Sequence, residues 1–146
     1  YQPLQLDEIR LIELQRRVDD SKNIICSLIT VRLQDAPAYT ALSYVWGSEE
    51  DAAIVQIDGV DFRVTQNLKD ALLHLQMPDQ ERLMWVDALV INQSDIPERN
   101  EQVPRMRDIY ASAKSVVIWL GKGNSNLETL LGLIAEVPGI IPDDPA

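Results

Sequence analysis

A carboxylate and two amides stand within a few residues of one another: Asp87, Asn92 and Gln93, just after the apolar run Leu83-Met84-Trp85-Val86. Together they supply acceptors and donors, the equipment for holding a ribose, an amide or a peptide edge. The same residue types fold turns by accepting backbone N–H groups, so Asp87 and Asn92 read equally as turn formers. A second group, Ser43, Tyr44 and Trp46, ends the run Tyr39-Thr40-Ala41-Leu42 and is closed by Gly47. Small and hydroxyl residues before a glycine indicate a strand whose C-terminal end meets a tight bend, where open α/β sheets bind ligands. The other reading of Tyr44 and Trp46 is that they complete a core. Glu98 and Arg99 either reach back toward Asp87 or pair as charges on a helix surface.

The elements that must position these groups follow from periodicity. Leu83–Val86 is short, apolar and preceded by Gln80-Glu81-Arg82, as expected of a central strand. Asp95-Ile96-Pro97-Glu98 has the spacing of a capping box with proline in the first turn, so a helix starts there. Val103, Met106, Ile109, Tyr110 and Ala113 mark its buried face, and Glu98, Arg99, Glu101, Arg105, Arg107 and Asp108 mark wet or site-facing positions. Pro104 either kinks this helix or delays its regular part to about Gln102. Val116-Val117-Ile118-Trp119-Leu120 is a β-branched run suited to a buried parallel strand.

Around this centre, Ile9–Leu14 and Ile24–Leu33 read as an antiparallel hairpin joined by the charged stretch from Arg16 to Asn23, serving as accessory packing. Asp58-Gly59 between two alternating runs, Ile54–Ile57 and Val60–Val64, is the signature of a two-residue hairpin turn. Thr65-Gln66-Asn67 caps a helix with Leu68, Ala71, Leu72 and Leu75 on one apolar face. A last helix carries Leu127, Leu130, Leu131 and Ile134, and the proline-rich run from Val137 breaks structure. These boundaries give one domain over 1–137 and a linker or truncated end over 138–146. The chain opens on Tyr1 without a starting Met, which reads as an excised fragment.

Composition excludes several classes of function. In 146 residues with 46% hydrophobic content there is chain enough for one real core. A formal charge of -10 with no lysine-rich run argues against a surface that tracks nucleic acid, leaving a small molecule or a protein as partner. Cys26 and His74 are single residues of their kind, so neither a disulfide framework nor a Cys/His zinc site assembles within the chain. A lone cysteine fits a reducing, cytoplasmic setting, and His74 reads as a helix-face residue. No apolar run approaches the ~18 residues of a membrane span. Gly121-Lys122-Gly123 lacks the spacing of phosphate-binding glycine motifs.

Several blocks occur in a specific order: Tyr39-x-Ala41-Leu42-Ser43-Tyr44-x-Trp46-Gly47; Asn67-Leu68-x-x-Ala71-Leu72; Trp85-x-Asp87-Ala88-x-x-Ile91-Asn92-Gln93-x-Asp95-x-x-Glu98-Arg99-x-x-Gln102-Val103-x-x-Met106-x-x-Ile109-Tyr110-x-x-Ala113; and Trp119-Leu120-Gly121. This series resembles the motifs of the fungal heterokaryon incompatibility (HET) domain, from about Ile9 to Gly121. The resemblance implies a cytoplasmic effector that triggers programmed cell death when incompatible fungal cells fuse, usually as part of a longer receptor-like protein. It departs from the family at Val90, where cysteine is usual, so a mechanism through that thiol is in doubt.

The family has been likened to Toll/interleukin-1 receptor (TIR) domains, many of which hydrolyse NAD. That likeness implies a TIR/flavodoxin-like α/β fold: a mostly parallel sheet flanked by helices, with the antiparallel β-hairpins added to it. It also implies a catalytic glutamate on the helix after a strand and a serine-containing loop. Trp119-Leu120-Gly121 followed by Asn124-Ser125-Asn126-Leu127-Glu128 is laid out similarly, so Glu128 joins Asp87 as a catalytic candidate. Glu128 is equally an acidic residue favoured by a helix N-terminus. Two functions follow as expectations. One is an NAD glycohydrolase without a resident cofactor, with NAD as substrate. Its pocket is formed by Ser43, Tyr44, Trp46, Asn92, Gln93, Arg99 and Trp119. The other is a non-enzymatic module that forms homo-oligomers and recruits protein partners.

Overall fold

The computed structural model describes residues 1–18, 22–44 and 50–120 in full, and residues 135–138 as backbone. Two charged-to-apolar transitions begin the chain: strand β1 (Glu8–Leu14) and strand β2 (Ile25–Arg32) pair antiparallel, from Glu8 opposite Arg32 to Leu14 opposite Cys26. A single 3-10 turn at Leu33–Asp35 leads into strand β3 (Thr40–Tyr44). Strands β4 (Ala52–Ile57) and β5 (Val60–Thr65) form the expected hairpin. Asp58 and Gly59 both take positive φ, 52° and 80°. That is the conformation a two-residue turn requires to match the strands' right-handed twist.

Thr65 then caps helix α1 (Gln66–Leu75), its hydroxyl accepting the Leu68 N–H, and Leu68, Ala71, Leu72 and Leu75 are buried as their spacing predicts. Strand β6 (Arg82–Trp85) runs into a one-turn helix α2 (Asp87–Val90), which periodicity had not indicated. Helix α3 (Ile96–Ser112) is capped by the Asp95 carboxylate, with Pro97 in the first turn. It precedes strand β7 (Ser115–Trp119), and a strand β8 (Ala135–Pro138) pairs antiparallel to β7. Val137 and Pro138, read as the start of a structural break, thus belong to a strand.

The strands form one eight-stranded sheet in the order β5-β4-β2-β1-β6-β3-β7-β8. Only the β2/β4, β6/β3 and β3/β7 neighbours are parallel, so the sheet is mixed. This corrects the expectation of a mostly parallel sheet. The first hairpin is not an added decoration: β1 lies in the interior of the sheet between β2 and β6. A strand covered on both faces loses the polar/apolar alternation that marks a one-sided strand. Ile9, Leu11, Ile12 and Leu14 are accordingly all buried, and so is Arg10.

Register fixes which helix covers which face. Tyr44 pairs with Trp119, whose indole N–H donates to the Asn67 side chain on α1. Ala41 pairs with Trp85, whose ring meets Tyr110 of α3 edge-on, on the opposite face. Helices therefore flank the parallel trio β6-β3-β7 on both sides. The buried face of α3 is the expected one at Met106, Ile109, Tyr110 and Ala113 and departs from it at Val103. Helical turns place Glu98, Gln102 and Ile109 against the protein and leave Val103 exposed. Gln102 donates to the Glu8 carbonyl, so polar side chains satisfy the β1 backbone where an apolar stripe was expected. The regular helix begins at Ile96 and continues through Pro104. The last expected helix, with Leu127, Leu130, Leu131 and Ile134, lies outside the described residues, as do Trp46, Gly47, Gly121 and Glu128. Among the described residues no helix is long and apolar enough to cross a membrane.

Candidate functional site

Strands β3 and β6 are parallel neighbours, so their C-terminal ends, Tyr44 and Trp85, open on the same edge. Ligand sites in α/β sheets form beyond the carboxyl ends of parallel strands. A cleft of about 360 Å³ lies there, lined by Tyr44, Ala52, Arg63, Val64, Thr65, Leu68, Ala88 and Gln93.

Asp87 stands at the end of β6 as the first residue of α2. Its carboxylate accepts the Ala88 N–H at 2.8 Å. Burial raises the Asp87 pKa above its ordinary value, and hydrogen bonds from the Ala88 and Asp87 backbone N–H groups only partly offset this. Two phenols lie within its electrostatic reach. Tyr44 is raised by burial, then by the charge of Asp87. Tyr110 is pushed up to about 12 by burial and Asp87, while a hydrogen bond with the Ser43 side chain pulls the other way. The Tyr110 hydroxyl donates to the Leu42 carbonyl at 3.0 Å, which fixes α3 against β3. The result is an under-solvated carboxylate between two neutral hydroxyls at the end of the sheet.

The structure brings Ser43, Tyr44, Asp87 and Gln93 together. Gln93 donates its side-chain amide to the Asp87 carbonyl at 3.1 Å and borders the cleft. Asn92 folds a turn: its side-chain oxygen accepts the Ser94 N–H at 3.2 Å. Trp119 is buried and tied to Asn67 at 3.1 Å, with the His74 ring 5.3 Å away, so it braces β7 against α1. Arg99 is exposed on α3 and borders no part of the cleft. Trp46 and Glu128 are outside the described residues. Cys26 is buried, and burial with the nearby Asp58 charge pushes its thiol up to about 12, which keeps it protonated and unreactive.

Sequence reasoning missed the group that holds this corner in place. Arg10 is 2% exposed and grips the Glu98 carboxylate with both terminal nitrogens, at 2.7 and 2.8 Å. The same guanidinium donates to the Val90 carbonyl at 2.8 Å and the Gln2 carbonyl at 2.7 Å, and lies 4.6 Å from the Tyr1 ring centroid. Glu98 also accepts the Asn92 N–H at 2.7 Å. One ion pair thereby pins both ends of the Val90–Asn92 segment that follows α2. Of the two readings of Glu98, neither describes this: it turns away from solvent and toward β1. Arg10 lies in a strand read only as accessory packing, and nothing local distinguishes it.

Comparison with known proteins adds a family. Residues 39–137 match the family model described as heterokaryon incompatibility protein (HET). The chain is also 34% identical over 142 aligned residues to heterokaryon incompatibility protein 6, OR allele, of Neurospora crassa, with 88% of this chain covered. It spans 21% of that protein's length. No solved structure matches the chain significantly. The Asp87–Tyr110 segment that builds the corner lies wholly within the matched region, and the chain belongs to the heterokaryon incompatibility (HET) family.

Proposed function

We propose that this chain is the module through which a longer incompatibility protein triggers cell death in the cytoplasm of fused cells, by hydrolysing NAD in the crevice between β3 and β6. The observation that carries this reading is the Asp87 carboxylate, held under-solvated and within electrostatic reach of Tyr44 and Tyr110, next to a ligand-sized cleft that Tyr44 and the adjacent Ala88 line. The parallel trio with helices on both faces supports the TIR-like part of the reading. In the reaction the bond from ribose C1 to the nicotinamide nitrogen breaks, nicotinamide leaves as a neutral ring, and water adds to C1 with loss of a proton. Positive charge gathers on the ribose as the bond breaks. A carboxylate in a site poor in water stabilises such charge most strongly. Arg63 at the cleft edge complements a pyrophosphate, and the Gln93 side chain is placed to meet a sugar or amide.

Purified protein incubated with NAD, alone and under forced oligomerisation, should release nicotinamide. No release in either condition sinks the enzymatic reading. Asp87→Asn is expected to lower release by roughly 10²–10³-fold, the scale for losing one charge-stabilising group. Glu128→Ala run alongside it tests the second carboxylate implied by the TIR likeness. A non-enzymatic reading also has an observation behind it. Ile25 and Ile54 are 45% and 46% exposed on the same side of β2 and β4. Cell death that survives Asp87→Asn but not Ile25→Ser with Ile54→Ser would favour recruitment of a protein partner.

A further inference from the structure

Strand β5 ends the sheet: among the described residues β4 is its sole strand neighbour. Proteins blunt such edges with proline, lysine, bulges or short length. β5 has no proline, lysine or bulge, and the two charges it carries, Asp61 and Arg63, are of opposite sign, so they repel a random edge less than a like-charged pair would. It runs six residues, Val60-Asp61-Phe62-Arg63-Val64-Thr65, and its pairing with β4 is unbroken from Ile57 opposite Val60 to Ala52 opposite Thr65. The two-residue turn makes Ile57 and Val60 a mutually hydrogen-bonded pair, so every second residue, Phe62 and Val64, also turns its backbone toward β4. The N–H and C=O groups of Asp61 and Arg63 therefore point outward. Their side chains share one exposed face, and their direct neighbours across β4 are uncharged Gln56 and Ile54.

We propose that β5 is a self-pairing edge: a second copy of this chain docks on it antiparallel, about a two-fold axis through Phe62. This register sets Asp61 opposite the partner copy's Arg63 and Arg63 opposite its Asp61. Those are the residues whose backbone groups face outward, so each pair exchanges hydrogen bonds in both directions. On the other face Val60, 59% exposed in one chain, comes to lie across from the second copy's Val64. Neighbouring two-fold registers fail. Centring on Asp61 or on Arg63 places two like charges directly opposite each other, which is destabilising. The interface is isologous and closes at two copies. It is small, so the dimer is weak and depends on concentration. Arg63 and Thr65 also border the cleft, which places the second copy beside the crevice without making this inference depend on the activity proposed for it.

Sedimentation velocity over a concentration series, with circular dichroism to confirm folding, tests the register by charge reversal. Wild-type protein is expected to show a reversible monomer–dimer equilibrium. Asp61→Arg and Arg63→Asp should each weaken it by on the order of ten- to thirty-fold, since two favourable pairs become two repulsive ones. Mixing the two variants in equal amounts should restore association, because Arg faces Asp at both positions of the mixed dimer. The double variant Asp61→Arg/Arg63→Asp should self-associate as wild type does. A wild-type chain that stays monomeric throughout overturns the proposal. So do single variants that dimerise normally, or a mixture of monomeric variants that fails to associate.

Discussion

Arg10 and Glu98 form a buried ion pair with side chains 2% and 8% exposed, and removing one partner strands the other's charge out of water. Glu98→Ala is therefore expected to cost about 3–5 kcal/mol in urea unfolding, whereas Arg10→Met with Glu98→Met together should cost less, since no charge is stranded and the remaining loss is that of the Val90 carbonyl and Asn92 N–H partners. A double variant as unstable as Glu98→Ala alone would show that the pair does more than satisfy its own charges. Acid reports on the same contact. Burial pushes the Glu98 carboxyl up, but hydrogen bonds from Arg10 and the Asn92 N–H, with the Arg10 charge, hold it below its ordinary 4.5. The stability this supplies is fully present above that ordinary value and is lost as pH falls through the depressed one. Asp87 works in the opposite sense. Its raised pKa means the ionised form costs stability, and that cost vanishes as pH falls through the raised value. Asp87→Asn, whose amide oxygen still accepts the Ala88 N–H, should then keep or raise the melting temperature near neutral pH while lowering nicotinamide release. Asp87 was legible because it breaks an apolar run at a strand end. Arg10 was not: its partner lies 88 positions away, and only the interior place of β1 turns it inward.

Elements with local causes were readable to within a residue or two, and elements fixed by distant partners were not. The β4–β5 turn needs only Asp58-Gly59, and the start of α3 needs only Asp95 and Pro97. The strand order needs pairings such as Ile12 with Met84, which no local pattern encodes. Both kinds of element carry predictions. Gly59 has φ of 80° with open space around the position of a Cβ, so Gly59→Ala meets backbone strain without a clash. It should cost roughly 1–2 kcal/mol. Pro104 sits inside α3, exposed, where it can donate no hydrogen bond to the preceding turn. Pro104→Ala should raise the midpoint of urea unfolding, corresponding to a gain of up to about 3 kcal/mol in unfolding free energy if the helix relaxes fully. An unchanged midpoint would mean that the surrounding contacts already absorb the break. The C-terminal half of the α3 face was legible at Met106, Ile109, Tyr110 and Ala113, and the N-terminal half was misread because periodicity counts apolar residues. Here Glu98 and Gln102 occupy the inward positions, and they are buried because β1 presents a guanidinium and a carbonyl to them.

Across the whole molecule, the sheet is uneven in how firmly its parts are joined. β1 is tied to β2 along seven register pairs and β3 to β7 along five, while β4 meets β2 at two, Ile25 with Gln56 and Cys26 with Ile57. Beyond that narrow seam the β4–β5 hairpin is held by α1, which contacts both its strands, by the burial of Val55 and Ile57 in the core, and by the Tyr1 ring against Phe62 at 5.9 Å. The centre, in contrast, is covered on both faces and cross-braced by Arg10, Tyr110 and Trp119. Regions with few buried contacts open locally at lower free energy than the global unfolding reaction. Native-state hydrogen exchange should therefore divide the sheet. Amides of Leu42, Val117 and Ile12 should exchange only through global unfolding, whereas inward-pointing amides of β4 and β5 should exchange through a smaller, less denaturant-sensitive opening. Glu98→Ala should bring the two classes together by lowering the centre more than the hairpin, which the ion pair reaches through the Tyr1 ring held between Arg10 and Phe62. Uniform protection across all strands in the wild type would instead mean that the two-pair seam is as strong as the long ladders, and that the hairpin folds as one unit with the crevice it borders.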